Sequence, residues 1–177
     1  EETELLQRFH EEMARVQRLN HPNIVNVLSV EQEENNTSTV VMEYISWPNL
    51  KSRKYPVLPL VDTLAVLRQV AEALDYAHGQ GIVHRDLRPS NVFYDQETGQ
   101  AKVSDFGIIR LVEKGHALIR TTVSTPSPNY ASPEQIQEQA PDPRNDVYAL
   151  GVLAYELLTG ELPYDALSPY TILSRQL

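Results

Sequence analysis

Leu5, Phe9, Met13, Val16 and Leu19 recur at three- and four-residue steps. That spacing predicts one face of an amphipathic helix. His21-Pro22-Asn23 ends it, because proline disfavours helical backbone at the residue before it. The pattern then changes: Ile24–Val30 and Thr39–Ile45 are β-branched and apolar, and they predict antiparallel strands joined by the polar turn Glu31–Ser38. Trp47-Pro48-Asn49 opens a connector, rich in Lys, Arg and Pro, that runs to Pro59. The helical period returns over Val61–His78, with Leu64, Leu67, Val70, Ala71 and Leu74 as its stripe and Gly79 and Gly81 as its stop. Val92–Tyr94 and Ala101–Ser104 flank a polar turn containing Gly99 and predict a hairpin. Arg110–Tyr130 has no period and reads as a long loop, a kind of segment that is often functional. Asp146–Gly160 is apolar nearly all round, which predicts a helix buried in the middle of a domain. Ser168-Pro169 has the form of a cap and first-turn proline of a last helix. The elements predict an α+β chain: a small strand-bearing N-terminal part, a hinge-like connector near residues 44–50, and a larger helical part.

Composition narrows the function classes. The chain has 177 residues, 41% of them hydrophobic, enough for one core. A net charge of -9 argues against a general affinity for nucleic acid or an anionic membrane surface. There is no cysteine, which excludes disulfides and Cys-based zinc sites and fits a reducing cytoplasm. No apolar run approaches the ~20 residues of a membrane span. His10, His21, His78 and His116 lack ligand spacing. The first residue is Glu1 rather than methionine, so the chain is expected to begin inside a longer protein, which leaves room for a membrane anchor elsewhere in that parent.

The concentrated chemistry lies in Ile82–Asn91, "IVHRDLRPSN". His84, Arg85, Asp86, Leu87 and Asn91 fill every specified place of H-R-D-L-x-x-x-N. Asp105-Phe106-Gly107 follows the hairpin, and Ser132-Pro133-Glu134 follows the long loop. Phosphoryl transfer is mostly positioning plus charge neutralisation. It needs a carboxylate near the attacking hydroxyl and oxygen ligands for Mg²⁺, a hard cation. A lone aspartate in such a loop is about as often a turn cap; here the surrounding pattern favours chemistry.

With these motifs in this order, the chain resembles the eukaryotic-type protein kinases, on the Ser/Thr branch and including the bacterial ones. Phe9–Val25 is similar to the αC helix and the segment after it, Val40–Ile45 to the strand entering the hinge, and Asp146–Gly160 to the central αF helix. The resemblance implies a partial N-lobe over 1–43 (αC and the following strands), a hinge and connector over 44–59, and most of a helical C-lobe over 60–177, ending near the start of αG. It implies ATP- and Mg²⁺-dependent phosphoryl transfer to Ser/Thr hydroxyls of protein substrates by the intact parent, with Mn²⁺ as an alternative cation. Asp86 would accept or orient the hydroxyl proton, and Asn91 and Asp105 would hold the metal. Met42 would be the gatekeeper at the back of the adenine pocket, backbone groups of Glu43 and Ile45 would meet adenine, and Phe93 would form its floor. His84 and Phe106 would stack with Val16 and Val27, and Asp146 would brace the catalytic loop. Arg85 would bind a phosphate on the activation loop, where Thr121, Thr122, Ser124 and Thr125 are acceptor candidates. Ser127 stands where Ser/Thr kinases carry a threonine beside the catalytic aspartate.

The sequence departs from the family pattern in places. Arg88 replaces the lysine that touches the transferred phosphate, and a planar fork is not equivalent to an ammonium. Trp47 replaces a glycine common in related sequences. Ser90 stands where some basic-directed kinases place an acidic residue, so no basic substrate motif is predicted. Glu12 matches the αC glutamate that pairs with the β3 lysine, but neither that lysine nor the Gly-rich loop precedes it here. The chain is therefore expected to be a fragment, inactive in isolation without the missing parts of the same kinase domain, and marginally stable. The alternatives are a pseudokinase-type binding or scaffold module and a nonfunctional truncated kinase.

Overall fold

The structure, a computed structural model, describes residues 2–32, 38–52, 57–107, 128–164 and 169–176. Helix α1 (Glu2–Val16) forms where the apolar period predicts it. Phe9, Met13 and Val16 are buried along it. Leu19 is also buried, but it lies beyond a turn that closes after Val16, so the helix ends earlier than the stripe suggests. The side chain of Leu5 lies outside what is described.

Strands β1 (Val27–Gln32) and β2 (Ser38–Met42) pair antiparallel, with an irregularity between Val27 and Ser29. Each is shorter than predicted. Asn23–Val25 instead runs beside the later hairpin: Val25 N donates to Val103 O and Val103 N to Asn23 O, both at 2.8 Å. Its apolar run is thus spent on a second partner rather than on β2. Glu43–Ile45 lies outside the sheet, which ends at Met42. A short 3-10 turn at Leu50–Ser52 follows, with Leu50 buried. Leu58 N then donates to Leu157 O at 2.9 Å, pinning the connector to the helical part.

Helix α2 (Leu60–Gly79) is followed by its cap Gln80 and then Gly81, whose φ of 73° is the left-handed backbone of a C-terminal stop. Its buried face differs from the predicted stripe. Thr63, Val66, Gln69, Val70, Ala73, Leu74 and Ala77 are buried, whereas Leu64 is 58% exposed and Ala71 is also exposed. The face is rotated because Thr63 and Gln69 bury through hydrogen bonds that an apolar count cannot see. Strands β3 (Val92–Asp95) and β4 (Gln100–Val103) form the predicted hairpin, with Gly99 at φ 70° in its turn.

Gln69 ties these parts together. Its Oε1 accepts from Asn23 Nδ2 at 2.8 Å and from Ala101 N at 2.9 Å, and its Nε2 donates to Gly99 O at 2.8 Å. Asn23 Nδ2 also donates to Ala101 O at 2.8 Å.

Short α3 (Pro133–Ile136) and long α4 (Pro143–Thr159) each begin with a capping box and a first-turn proline, Ser132 with Gln135 and Asp142 with Asn145. Helix α4 thus starts three residues before the predicted Asp146. Gly160 closes it at φ 79°. It is not buried all round: Val147 is 61% exposed, and Tyr155 and Leu158 are also exposed, because α2 and the connector cover only one side. Helix α5 (Pro169–Gln176) follows. One core runs from Phe9 and Met13 through Val70, Leu87 and Phe106 to Leu153 and Leu157.

Candidate active site

The loop after α2 is held from below by α4. Asp146, 1% exposed, accepts the backbone N–H groups of His84 (Oδ2) and Arg85 (Oδ1), each at 2.8 Å. His78 Nε2 meets the same Oδ2 at 2.7 Å. These bonds hold Arg85 at φ 72°, a left-handed conformation that a non-glycine residue keeps only when its surroundings over-determine it. Gln135 Nε2 adds a bond to Arg85 O at 2.9 Å.

His84 is fully buried, with its ring centroid 4.6 Å from that of Phe106. Its Nε2 donates to Ser104 O at 2.8 Å, so Nδ1 is left to accept from Asp86 N at 3.2 Å. Phe106, Val16 and Val27 lie in the same core cluster.

Asp86 is 7% exposed. Asn91 Nδ2 donates to its backbone O at 2.9 Å and to its Oδ2 at 3.2 Å. Burial pushes the Asp86 carboxyl above the ordinary aspartate range; the nearby Arg88 and His84 and the Asn91 bond oppose that, and Asp105 adds to it. A buried carboxylate so raised is better matched to taking a proton than a solvated one.

The hairpin brings Asp105 to Asn91. Ser104 N donates to Asn91 O at 2.9 Å, and Ser104 Oγ donates to Asp105 Oδ2 at 3.1 Å. Asp105 has φ 66°, and Gly107 has φ 70°. A Cβ on Gly107 would stand 3.4 Å from Val16 Cγ2 and 3.9 Å from Glu12 Oε1, so α1 carries Glu12 up to the Asp105–Gly107 turn.

No group of three or more His, Asp or Glu side chains could hold a metal among the described residues. One carboxylate and one amide oxygen still fit Mg²⁺, which uses one or two protein oxygens and takes its remaining ligands from water and phosphates. The oxygen-only donor set of Asp105 and Asn91 suits that cation.

Of the residues expected on the adenine side, Glu43 and Phe93 both meet Lys102 of β4. Met42 is half-buried against the core at the end of β2. Glu43 accepts from Asn26 N at 3.0 Å and from Lys102 Nζ at 2.5 Å, while its own N–H donates to Asn26 O. Burial pushes the Glu43 carboxyl up, but the Lys102 and Asn26 bonds outweigh it and hold the group below its ordinary 4.5. Lys102 is also the register partner of Phe93. An Asn49–Phe93 bridge and a Tyr94 N to Pro48 O bond lay the connector beside β3. Ile45, between Glu43 and Pro48 in the chain, is half-buried. Arg88 Nε donates to Ser90 Oγ at 2.7 Å. Thr121, Thr122, Ser124, Thr125 and Ser127 lie outside the described residues.

Sequence reasoning missed Lys102, Gln135 and the His78 contact. S-P-E-Q and D-P-R-N are legible capping boxes, whereas Lys102 and His78 gain their partners only through tertiary packing.

Residues 1–176 match the family profile described as the protein kinase domain. The chain belongs to that family. Its relatives place it on the bacterial Ser/Thr branch of the eukaryotic-type kinases. It is 38% identical over 168 residues to the serine/threonine-protein kinase pkn3 of Myxococcus xanthus, covering 90% of this chain and 30% of that protein. It is 36% identical over 171 residues to a probable serine/threonine-protein kinase of Clostridium perfringens, covering 96% and 24%. It is 35% identical over 179 residues to the serine/threonine-protein kinase PrkC of Bacillus subtilis, covering 99% and 27%. The chain thus spans 24–30% of the length of these relatives. The relatives named here are serine/threonine-protein kinases, the clostridial one a probable one. No helix among the described residues is long and apolar enough to cross a membrane.

Proposed function

We propose that this chain supplies the catalytic-loop side of an ATP- and Mg²⁺-dependent Ser/Thr protein kinase site. The carrying observation is the Asn91 amide bound to both the backbone and the carboxylate of Asp86, with Asp105 brought alongside through Ser104. Bound ATP and Mg²⁺ supply the transferable phosphoryl group and the neutralising charge.

The residues divide the remaining work. Asp86 orients the substrate hydroxyl and takes its proton. Asn91 and Asp105 hold the cation through oxygen. Arg88 adds positive charge beside the transferred phosphate, in the lysine's place. The Glu43 carbonyl and Ile45 N–H face adenine between Met42 and Phe93, and Glu12 would pair with the β3 lysine of the intact domain. Arg85 would bind a phosphate carried on Thr121, Thr122, Ser124 or Thr125, and Ser127 would lie beside Asp86. Residues 1–43 serve as part of the N-lobe, 44–59 as hinge and connector, and 60–177 as most of the C-lobe, to near the start of αG.

The test is phosphate transfer from ATP to a protein substrate by the intact parent, with Asp86→Asn as control. Loss of general-base assistance corresponds to a fall of about 10²–10⁴-fold. Equal activity in the variant would remove Asp86 from the role. Full activity with Thr121, Thr122, Ser124 and Thr125 all changed to alanine would remove the loop phosphate.

A further inference from the structure

Arg88 and Ser90, the two positions where the catalytic loop is least expected from its pattern, touch each other. Arg88 is extended, at φ -163° and ψ 164°, and Pro89 then opens a one-turn 3-10 segment. Asn91 N donates back to Arg88 O at 3.0 Å, so residues 88, 90 and 91 come round to one side. The Arg88 Nε to Ser90 Oγ distance is 2.7 Å, and Ser90 Oγ stands 3.0 Å from Asn91 Oδ1.

The direction of these bonds is forced. A guanidinium nitrogen only donates, so the Ser90 oxygen accepts from Arg88. The single hydroxyl proton of Ser90 is then left for Asn91 Oδ1. The Asn91 amide is fixed from both ends, because its NH₂ donates to Asp86 O and Oδ2. Turning it over would set NH₂ against the Ser90 hydroxyl proton and carbonyl against the Asp86 oxygens. Its Oδ1 keeps a second lone pair for a cation.

We infer that Ser90 is a positioning residue that joins Arg88, Asn91 and Asp86 into one directed hydrogen-bond chain, holding the metal-binding amide and the arginine fork in register. The inference rests on the kinase reading of Asn91 and Asp86. It also accounts for the arginine. A lysine presents all its donors on a single nitrogen, so binding Ser90 would hold that one nitrogen close to Ser90. Arginine binds Ser90 through Nε and carries its terminal nitrogens further on.

Two measurements test it. The first needs no activity: hydrogen exchange of the Asn91 side-chain amide in metal-free protein labelled with ¹⁵N-asparagine. Ser90→Ala is expected to speed that exchange about three- to tenfold, and Ser90→Thr, which keeps the hydroxyl, to restore it. The second is the Mg²⁺ concentration giving half-maximal phosphate transfer by the intact protein. Ser90→Ala is expected to raise it about tenfold with Arg88 present and less than twofold in an Arg88→Lys background.

Unchanged exchange in Ser90→Ala, no rescue by threonine, or an equal effect in both backgrounds would overturn the inference. If the intact wild-type protein transfers no phosphate, the kinase reading fails, and the exchange measurement alone decides whether the chain of bonds exists.

Discussion

Replacing Asp146 by alanine would strip three donors of their acceptor at once. His84 N and Arg85 N each lose a 2.8 Å bond, and His78 Nε2 loses one of 2.7 Å. The site is 1% exposed, so water does not readily replace the carboxylate. A buried donor left unsatisfied costs about 1–3 kcal/mol, so the two backbone groups together give about 2–6 kcal/mol. That is a large part of the roughly 5–15 kcal/mol by which domains are stable. Asp146→Asn keeps the shape and one acceptor, and should lose about 1–3 kcal/mol. Urea unfolding followed by circular dichroism measures both. With a slope of about 1–3 kcal/mol per molar, the alanine midpoint should fall by roughly 1 M or more. Amide exchange adds the local signature, since protection at His84 and Arg85 should drop before protection in β3 and β4. A loss below about 0.5 kcal/mol for the alanine variant, or unchanged protection at those two amides, would refute the bracing role.

Asp86→Asn should stabilise the fold while removing activity. The Asp86 carboxyl is raised by burial, so its ionisation penalises the folded chain once pH rises through the folded value; the asparagine gain of about 0.5–2 kcal/mol at pH 7 should shrink below pH 3.8, as unfolding at the two pH values would show. Glu43 has the opposite sign: its carboxyl is lowered, so its contribution is present above 4.5 and is lost as pH falls through the folded value. Lys102→Met should therefore cost about 1 kcal/mol near pH 7, with the gap to wild type closing on acidification. On α2, Leu64→Gln should change stability by less than about 0.5 kcal/mol and Val66→Ala should cost about 1–3 kcal/mol; the reverse order in thermal melts would contradict the rotated face.

The parts that local chemistry decides were legible. The steps from Phe9 to Val16, the glycines at 81, 99 and 160, and the motif residues at 84–91 and 105–107 each carry their own signal. The buried face of α2 was not, because Thr63 and Gln69 are polar by type and buried by partnership. The start of α4 was readable from Asp142-Pro143, but its apolar length drew the prediction inward. The Lys102–Glu43 pair joins residues far apart in the chain, which no spacing rule connects. The left-handed backbone at Arg85 and Asp105 is likewise imposed from outside, by Asp146 for the first and by the packing around the hairpin for the second.

The Asn23–Gln69 junction carries a constraint of inheritance. Four bonds share two amides, and each amide serves both the backbone of the hairpin and the other amide. Losing either side chain takes a partner from the hairpin backbone as well as from the other amide: Ala101 O in the case of Asn23, Ala101 N and Gly99 O in the case of Gln69. Single replacements at either position should be purged, and a successful change should come as a pair. Among homologues of this chain, positions 23 and 69 should drift together or stand still, although 46 residues separate them.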